Sequence, residues 1–153
     1  MAFNYQFETI LNLKIRMEDM KKSELKVAIN KLDAEKAKLD KLNEEKEEQY
    51  NMLKEKQKEK FTVEDLKLFN NYISVLDKKI NKQKIVVQKE EDKVEKIREE
   101  LIKVSKEKRM FEKLKEKKLE EYMQEYYIKE QQVVDNIVNF KYNDNGGSGD
   151  EWN

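Results

Sequence analysis

Apolar residues recur at helical spacing in two long stretches of this chain, separated by a short polar segment. The second stretch has the stricter pattern, with apolar residues repeating every seven positions in two rows. One row is Leu66, Ile73, Ile80, Val87, Val94 and Leu101; the other is Phe69, Leu76, Gln83, Glu90, Ile97, Val104 and Phe111. Heptads sustained over this length predict a left-handed coiled coil.

The first stretch carries a weaker version of the same pattern. Its rows are Leu25, Leu32, Leu39, Lys46 and Leu53, and Ala28, Glu35, Leu42 and Gln49. Upstream, the apolar positions are Phe7, Ile10, Leu13, Met17 and Met20. We therefore predict a phase change before Leu25, and a second one after Phe111, where the stripe moves to Leu114, Leu119 and Tyr122. The alternating opening Phe3-Asn4-Tyr5-Gln6-Phe7 leaves a short strand as an alternative start.

The polar segment between the stretches ends in a helix-start signal. Thr62 is an N-cap residue type and Asp65 follows three positions later, which is a variant of the capping box. Phe61 and Leu66 occupy the positions of a hydrophobic staple, and Glu64 adds negative charge in the first turn. These signals predict that a helix begins near Val63 and that the chain reverses before it. The alternative is one unbroken helix in a parallel dimer.

The heptad phase favours the reversal. In an antiparallel pair the two rows meet as Leu42 with Ile80 and Ala28 with Val94, and both pairs are symmetric about Phe61. The predicted fold is all-α: a long antiparallel two-helix coiled-coil hairpin over residues 1–142, with an extended second helix. We place helix 1 at about 4–59, the turn at about 60–62 and helix 2 at about 63–140. Residues 143–153 read as a disordered, acidic, Gly-rich tail.

The second helix is predicted to outrun the first beyond Glu121. Apolar residues nevertheless continue there at helical spacing, at Tyr122, Tyr126, Val133, Ile137 and Phe140. An apolar stripe without cover is a candidate docking surface. Dimerisation or fraying of this segment is the alternative.

Composition excludes several classes of function. The 153 residues include 33 Lys+Arg and 33 Asp+Glu, with no His and no Cys. The balanced charge gives no support to nucleic-acid binding. Without imidazole or thiolate groups we predict no enzyme active site, no cofactor and no soft metal site. No apolar run approaches the roughly 20 residues of a bilayer span, so we expect no direct membrane insertion. Polar residues at Asn4, Gln6, Glu8 and Asn12 interrupt the N-terminal apolar residues, so we expect no signal peptide.

Three stretches carry a family resemblance that spans about residues 3–127. The first contains Phe3, Tyr5, Phe7, Ile10, Leu11, Leu13 and Lys14; the second contains Asn71, Tyr72, Ile73, Leu76 and Ile80; the third contains Glu112, Leu114, Glu116, Glu121 and Tyr122. Together and in this order they resemble the FliJ family of flagellar export proteins.

The resemblance implies a non-enzymatic stalk of the flagellar type III protein export apparatus with a general-chaperone-like role. Such proteins resemble the central stalk of rotary ATPases. They insert into the export ATPase ring, promote its assembly and activity, contact the export gate membrane protein and handle export chaperones. The implied location is cytoplasmic and peripheral at the flagellar basal body, in bacterial flagellum biogenesis, chemotaxis and motility. An injectisome stalk of the same architecture and a purely structural coiled-coil dimer remain alternatives.

The resemblance also suggests partner-binding residues. Tyr72 and Leu76 match the gate-contacting aromatic and leucine of the family. Tyr72 lies outside both heptad rows, so it is expected to point outward, whereas Leu76 lies in a row, which also predicts a packing role. The ATPase-facing tip is expected to comprise Phe3, Phe7, Phe111, Leu114, Tyr122 and Tyr126.

Overall fold

The protein consists of two long α-helices joined by a short turn. The structure, a computed structural model, describes residues 2–147, with side chains described as far as Asp144. Helix α1 spans Glu8–Lys56 and helix α2 spans Val63–Gly147. Residues 2–147 contain no strand, so the alternative of a short opening strand is wrong. The all-α hairpin is confirmed, and the parallel dimer of unbroken helices is not.

The helix bounds differ from the predicted ones at three ends. Helix α1 begins at Glu8 instead of about residue 4, because the segment before it runs without regular structure into a turn at residues 6–7. It ends at Lys56, where Lys58 N donates to Glu55 O (3.2 Å) and tightens the last turn. Helix α2 continues to Gly147, since no Pro or Gly interrupts it before Gly146. Residues 143–147 of the predicted tail are therefore helical, and residues 148–153 lie outside the described residues.

The start of α2 at Val63 rests on the predicted capping box. Thr62 N donates to Asp65 Oδ2 and Asp65 N donates to Thr62 Oγ1, both at 3.2 Å. Two of the backbone donors that a helix start leaves free are thereby satisfied. Leu66, the expected staple partner of Phe61, is exposed.

Residues are grouped in two compact units, which we describe separately. The turn-containing unit is Arg16–Ser105, and the terminal unit combines residues up to Ile15 with residues from Lys106 onward. In the turn-containing unit the two heptad rows form a buried seam. Its buried apolar members are Leu32, Ile73, Leu76, Ile80, Val87, Val94 and Val104. The cross-helix pairs Lys21–Glu100 (2.7 Å) and Lys46–Asp77 (2.6 Å) show that the helices are antiparallel.

Polar residues in the seam are paired across it. Glu90 is only 6% exposed, and its carboxylate lies 3.4 Å from Lys31 Nζ and 3.5 Å from Lys93 Nζ. Gln83 Nε2 donates to the carboxylate of Glu35 at 2.6 Å and to its backbone oxygen at 2.9 Å. These polar positions interrupt the apolar seam without leaving a buried side-chain nitrogen or oxygen unpaired among the described residues.

The predicted phase change in α1 is wrong. Leu11 is 4% exposed, whereas Leu13, in the predicted stripe, is 54% exposed. Leu11 lies one heptad before Glu18 and two before Leu25, and Glu18 is buried. The heptad of Leu25 therefore continues unbroken towards the helix start, with a glutamate at one seam position.

The predicted stripe of α2 after Phe111 agrees with the structure at Leu114 and Tyr122, which are half-buried, and disagrees at Leu119, which is exposed. The half-buried Lys108 and Lys115 continue the heptad row of Leu101 to Tyr122, whereas Lys118, the next position in the row of Phe111, is exposed. In the terminal unit Lys115 Nζ lies 2.9 Å from a Glu8 carboxylate oxygen. Long charged side chains cover the seam with their hydrocarbon stems while their heads pair at its edge.

Candidate partner-binding surfaces

Tyr72 and Leu76 lie one helical turn apart on α2 in opposite environments. Leu76 is the most deeply buried large side chain among the described residues, at 1% exposure, whereas Tyr72 is 40% exposed. Tyr72 therefore lies outside the seam, as its position outside the rows predicted. A partner could contact the Leu76 side chain only if the seam opened.

The Tyr72 hydroxyl links α2 to α1. Its hydroxyl donates a hydrogen bond to a Glu45 carboxylate oxygen on α1, and this bond raises the pKa of Tyr72 above its ordinary value. The phenol is therefore neutral at physiological pH, and the hydrogen bond restricts its ring orientation. An aromatic ring fixed in this way loses less conformational entropy when a partner binds than a free side chain would.

Tyr72 forms one wall of a shallow groove near the turn, which we call the turn groove. It is lined by Gln49, Met52, Leu53, Lys56, Phe61, Asp65, Leu68, Phe69 and Tyr72. Met52 and Leu68 are exposed. Phe69 packs edge-on against Tyr50, with ring centroids 5.3 Å apart. The turn groove thus combines exposed apolar side chains with a positioned aromatic ring, as protein-binding sites commonly do.

An aromatic cluster joins the N-terminal segment to α2 in the terminal unit. Phe3 packs on Tyr122 with ring centroids 5.5 Å apart, and Phe7 packs on Phe111 at 6.2 Å. Tyr5 packs edge-on against Phe7 at 5.9 Å, and its hydroxyl donates to the Phe111 carbonyl at 2.9 Å.

Five of the six predicted tip residues belong to this cluster or lie beside it. Phe3, Phe7, Phe111 and Tyr122 are in ring contact as described, and Leu114 is half-buried. Tyr126 is different, because its ring is exposed and packs only edge-on against Tyr127, at 6.3 Å. A hydrogen bond with Glu130 raises the pKa of Tyr126. Tyr126 is therefore the tip residue most available to a partner.

Two structurally important residues were missed by the sequence reasoning. Tyr5, which ties the N-terminal segment to α2, carried no assigned role although it belongs to the resembling opening motif. Glu45, the acceptor of the Tyr72 hydroxyl, had no signal in the heptad pattern, because an exposed-face glutamate is indistinguishable from its many neighbours.

Within residues 2–147 no three acidic, His or Cys side chains are arranged to hold a metal ion. Over the same residues, neither helix has a stretch apolar enough to cross a membrane. The turn groove and the aromatic cluster with Tyr126 offer a ligand exposed aliphatic and aromatic area that is bordered by paired charges.

Comparison with known proteins gives a match at the level of the family. The sequence profile of the family described as "Flagellar FliJ protein" matches residues 3–147 of the 153-residue chain. A search of curated proteins and a search of solved structures returned no significant match.

Proposed function

Because this chain belongs to the flagellar FliJ family, we propose that it acts as the stalk of the flagellar type III export apparatus. Members of this family are non-catalytic components of flagellar export. In this proposal the hairpin inserts into the export ATPase ring, promotes the assembly and activity of the ring, and contacts the export gate membrane protein. The flagellar family match favours this system over an injectisome stalk.

The gate contact is assigned to the turn groove, with Tyr72 in its wall as the main contact residue. The supporting observation is that Tyr72 is exposed and oriented by Glu45, while Leu76, one turn away, fills the seam. Large aromatic side chains with restricted rotamers are frequent binding hot spots. Leu76 contributes to gate binding indirectly in this proposal, by packing the helix that carries Tyr72.

The ATPase contact is assigned to the aromatic cluster of the terminal unit and to Tyr126. The ring contacts Phe3–Tyr122 and Phe7–Phe111 hold the N-terminal segment against α2. The exposed Tyr126 lies about one helical turn beyond Tyr122. Ion pairs flank the cluster, with Lys14 Nζ 2.6 Å from Glu107 and Lys115 near Glu8. Because these charges are paired, they leave little net electrostatic field around the cluster. A weak field suits a stalk that must occupy several similar positions within a ring.

The same proposal places the protein in the cytoplasm, peripherally at the basal body, where it also receives export chaperones. The turn groove and the terminal unit consist of different residues of the chain. Gate and ATPase contacts can therefore be tested independently.

Two single substitutions test both assignments. We expect Tyr72→Ala to weaken binding of the gate protein's cytoplasmic part at least about tenfold and to leave ATPase binding unchanged. We expect Tyr126→Ala to do the reverse and to reduce ATPase stimulation. Both side chains are substantially exposed, so circular dichroism and melting temperature should be preserved. Tyr142→Ala, at another exposed tyrosine, is the matched control.

The two assignments fail separately. Gate binding that survives Tyr72→Ala would remove the turn groove from the proposal, and full ATPase stimulation by Tyr126→Ala would remove the extended end of the tip. If the unaltered protein co-purifies with neither partner, the stalk function itself is wrong.

A further inference from the structure

Past the aromatic cluster, α2 carries a further heptad row, separate from those of the buried seam, that the proposed function does not use. All residues from Met123 to Asp144 are exposed in the structure. Among them a row with alternating three- and four-residue spacing runs along one face, which we call the distal row. Its members are Tyr127, Glu130, Val134, Ile137, Lys141 and Asp144. This is the a/d spacing of a coiled-coil seam, with two apolar positions at its centre.

The distal row is complementary to itself when it is read in the opposite direction. In an antiparallel pair of two such rows, each Val134 meets Ile137 of the other copy, and each Glu130 meets Lys141. The outer layers pair Tyr127 with Asp144. Two apolar layers therefore lie at the centre, and an ion pair lies on either side of them.

A parallel pairing of the same row would be unfavourable. It would place Glu130 against Glu130 and Lys141 against Lys141 in the seam, and like charges at facing positions repel. For two copies of this row, the charge pattern thus favours the antiparallel direction.

The neighbouring residues widen the apolar face around the row. Val133 and Val138 flank Val134 and Ile137 on the helix surface, and both are exposed. Lys141 forms no ion pair with any residue in the described part of the chain, so its charge is available to a partner. The Glu130 carboxylate accepts a hydrogen bond from Tyr126, one helical turn towards the start of α2.

We propose that residues 127–144 form a self-association surface, through which two copies of this chain pair antiparallel along their distal rows. The segment is about 27 Å long at 1.5 Å per residue, and such short two-helix seams bind modestly. The dimer is accordingly expected to form at micromolar concentrations and above. The hairpin itself does not depend on this dimer.

Charge reversal tests the pairing directly. Sedimentation equilibrium of the unaltered chain, from about 1 to 500 μM, should show a monomer–dimer equilibrium. Glu130→Lys and Lys141→Glu should each weaken dimerisation at least about tenfold, because each places two pairs of like charges in the seam. The variant with both substitutions should return to within about threefold of the unaltered chain.

Mixing the two single variants distinguishes a loss of charge complementarity from a loss of helical structure. In a mixed antiparallel pair, the introduced lysine of one chain meets the introduced glutamate of the other, and the unaltered Lys141 meets the unaltered Glu130. Equal amounts of the Glu130→Lys and Lys141→Glu chains should therefore form a heterodimer although neither dimerises alone. A chain that stays monomeric at every concentration would overturn the proposal, and so would a dimer that is insensitive to the single reversals.

Discussion

Two stretches of α2 carry apolar residues at helical spacing, and their environments are opposite. From Ile73 to Val104 the row residues are buried or half-buried against α1, whereas from Met123 to Asp144 every residue is exposed. The heptad pattern predicts helix in both stretches, but it does not state what each will pack against. Because α1 packs on the first stretch, that stretch has a structural role. No part of the described chain packs on the second stretch, which is therefore a candidate binding surface for a partner.

The largest expected difference between these stretches is in amide exchange. At concentrations well below 1 μM, residues 123–144 should exchange at least about a hundredfold faster than residues 73–104. A helix without tertiary packing is marginal in water, whereas exchange in the seam requires the hairpin to open. Hydrogen exchange read by mass spectrometry measures both stretches in one sample. Equal protection of the two would mean that the exposed stretch has cover that the structure does not contain.

A leucine pair tests the energetic side of the comparison. Leu76→Ala should lower the free energy of unfolding by about 2–4 kcal/mol, since it removes buried methyl groups from a packed seam. Leu68→Ala makes the same chemical change at an exposed site and should cost less than about 0.5 kcal/mol. Urea denaturation followed by circular dichroism measures both. Similar costs would contradict the seam assignment of Leu76.

Much of the fold was accessible from the sequence, and the errors in following the heptad phase share one cause. The capping box of Thr62 and Asp65 placed the start of α2 at Val63, and the apolar heptads identified the seam from Leu25 to Val104. Where charged residues occupy seam positions, following the apolar residues led away from the seam. Cross-helix pairing of charged heads is set by tertiary distance, which a one-dimensional apolar pattern does not contain.

The geometry of the two candidate surfaces could be predicted only in part. That Tyr72 would be exposed followed from its position outside the heptad rows, but its hydrogen bond to Glu45 depends on how the two helices face each other. The aromatic cluster depended on Phe3 reaching Tyr122 through a non-helical segment, whereas the sequence pattern suggested that α1 began near residue 4.

A smaller effect is expected at the buried carboxylate of the seam. Glu90→Leu should raise the free energy of unfolding by about 1–2 kcal/mol, because an apolar residue of similar size avoids the desolvation of a buried ion pair. Lys31 and Lys93 are both exposed and lose little when their partner is removed. Glu91→Leu, at the neighbouring half-buried position, should change stability by less than about 0.5 kcal/mol. A destabilised Glu90→Leu variant would show that the ion pairs outweigh that desolvation.

The smallest expected effect is a pH dependence of stability, which arises where Glu35 of α1 contacts the covered stretch of α2 (residues 73–104). The hydrogen bond from Gln83 lowers the pKa of Glu35 below its ordinary value, and the neighbouring Lys38 acts in the same direction. A group whose pKa is lower in the folded state stabilises that state above its unfolded pKa, about 4.3 for glutamate. This stabilisation is lost as the pH falls through the folded value.

Melting temperatures of Glu35→Gln should therefore fall less steeply than those of the unaltered chain below about pH 5, and the two curves should converge in acid. Glu44→Gln, at an exposed position on the same helix, should leave the curve unchanged. If Glu35→Gln and Glu44→Gln gave the same acid limb, the Glu35–Gln83 contact would add nothing to the stability that distinguishes the covered stretch from the exposed one.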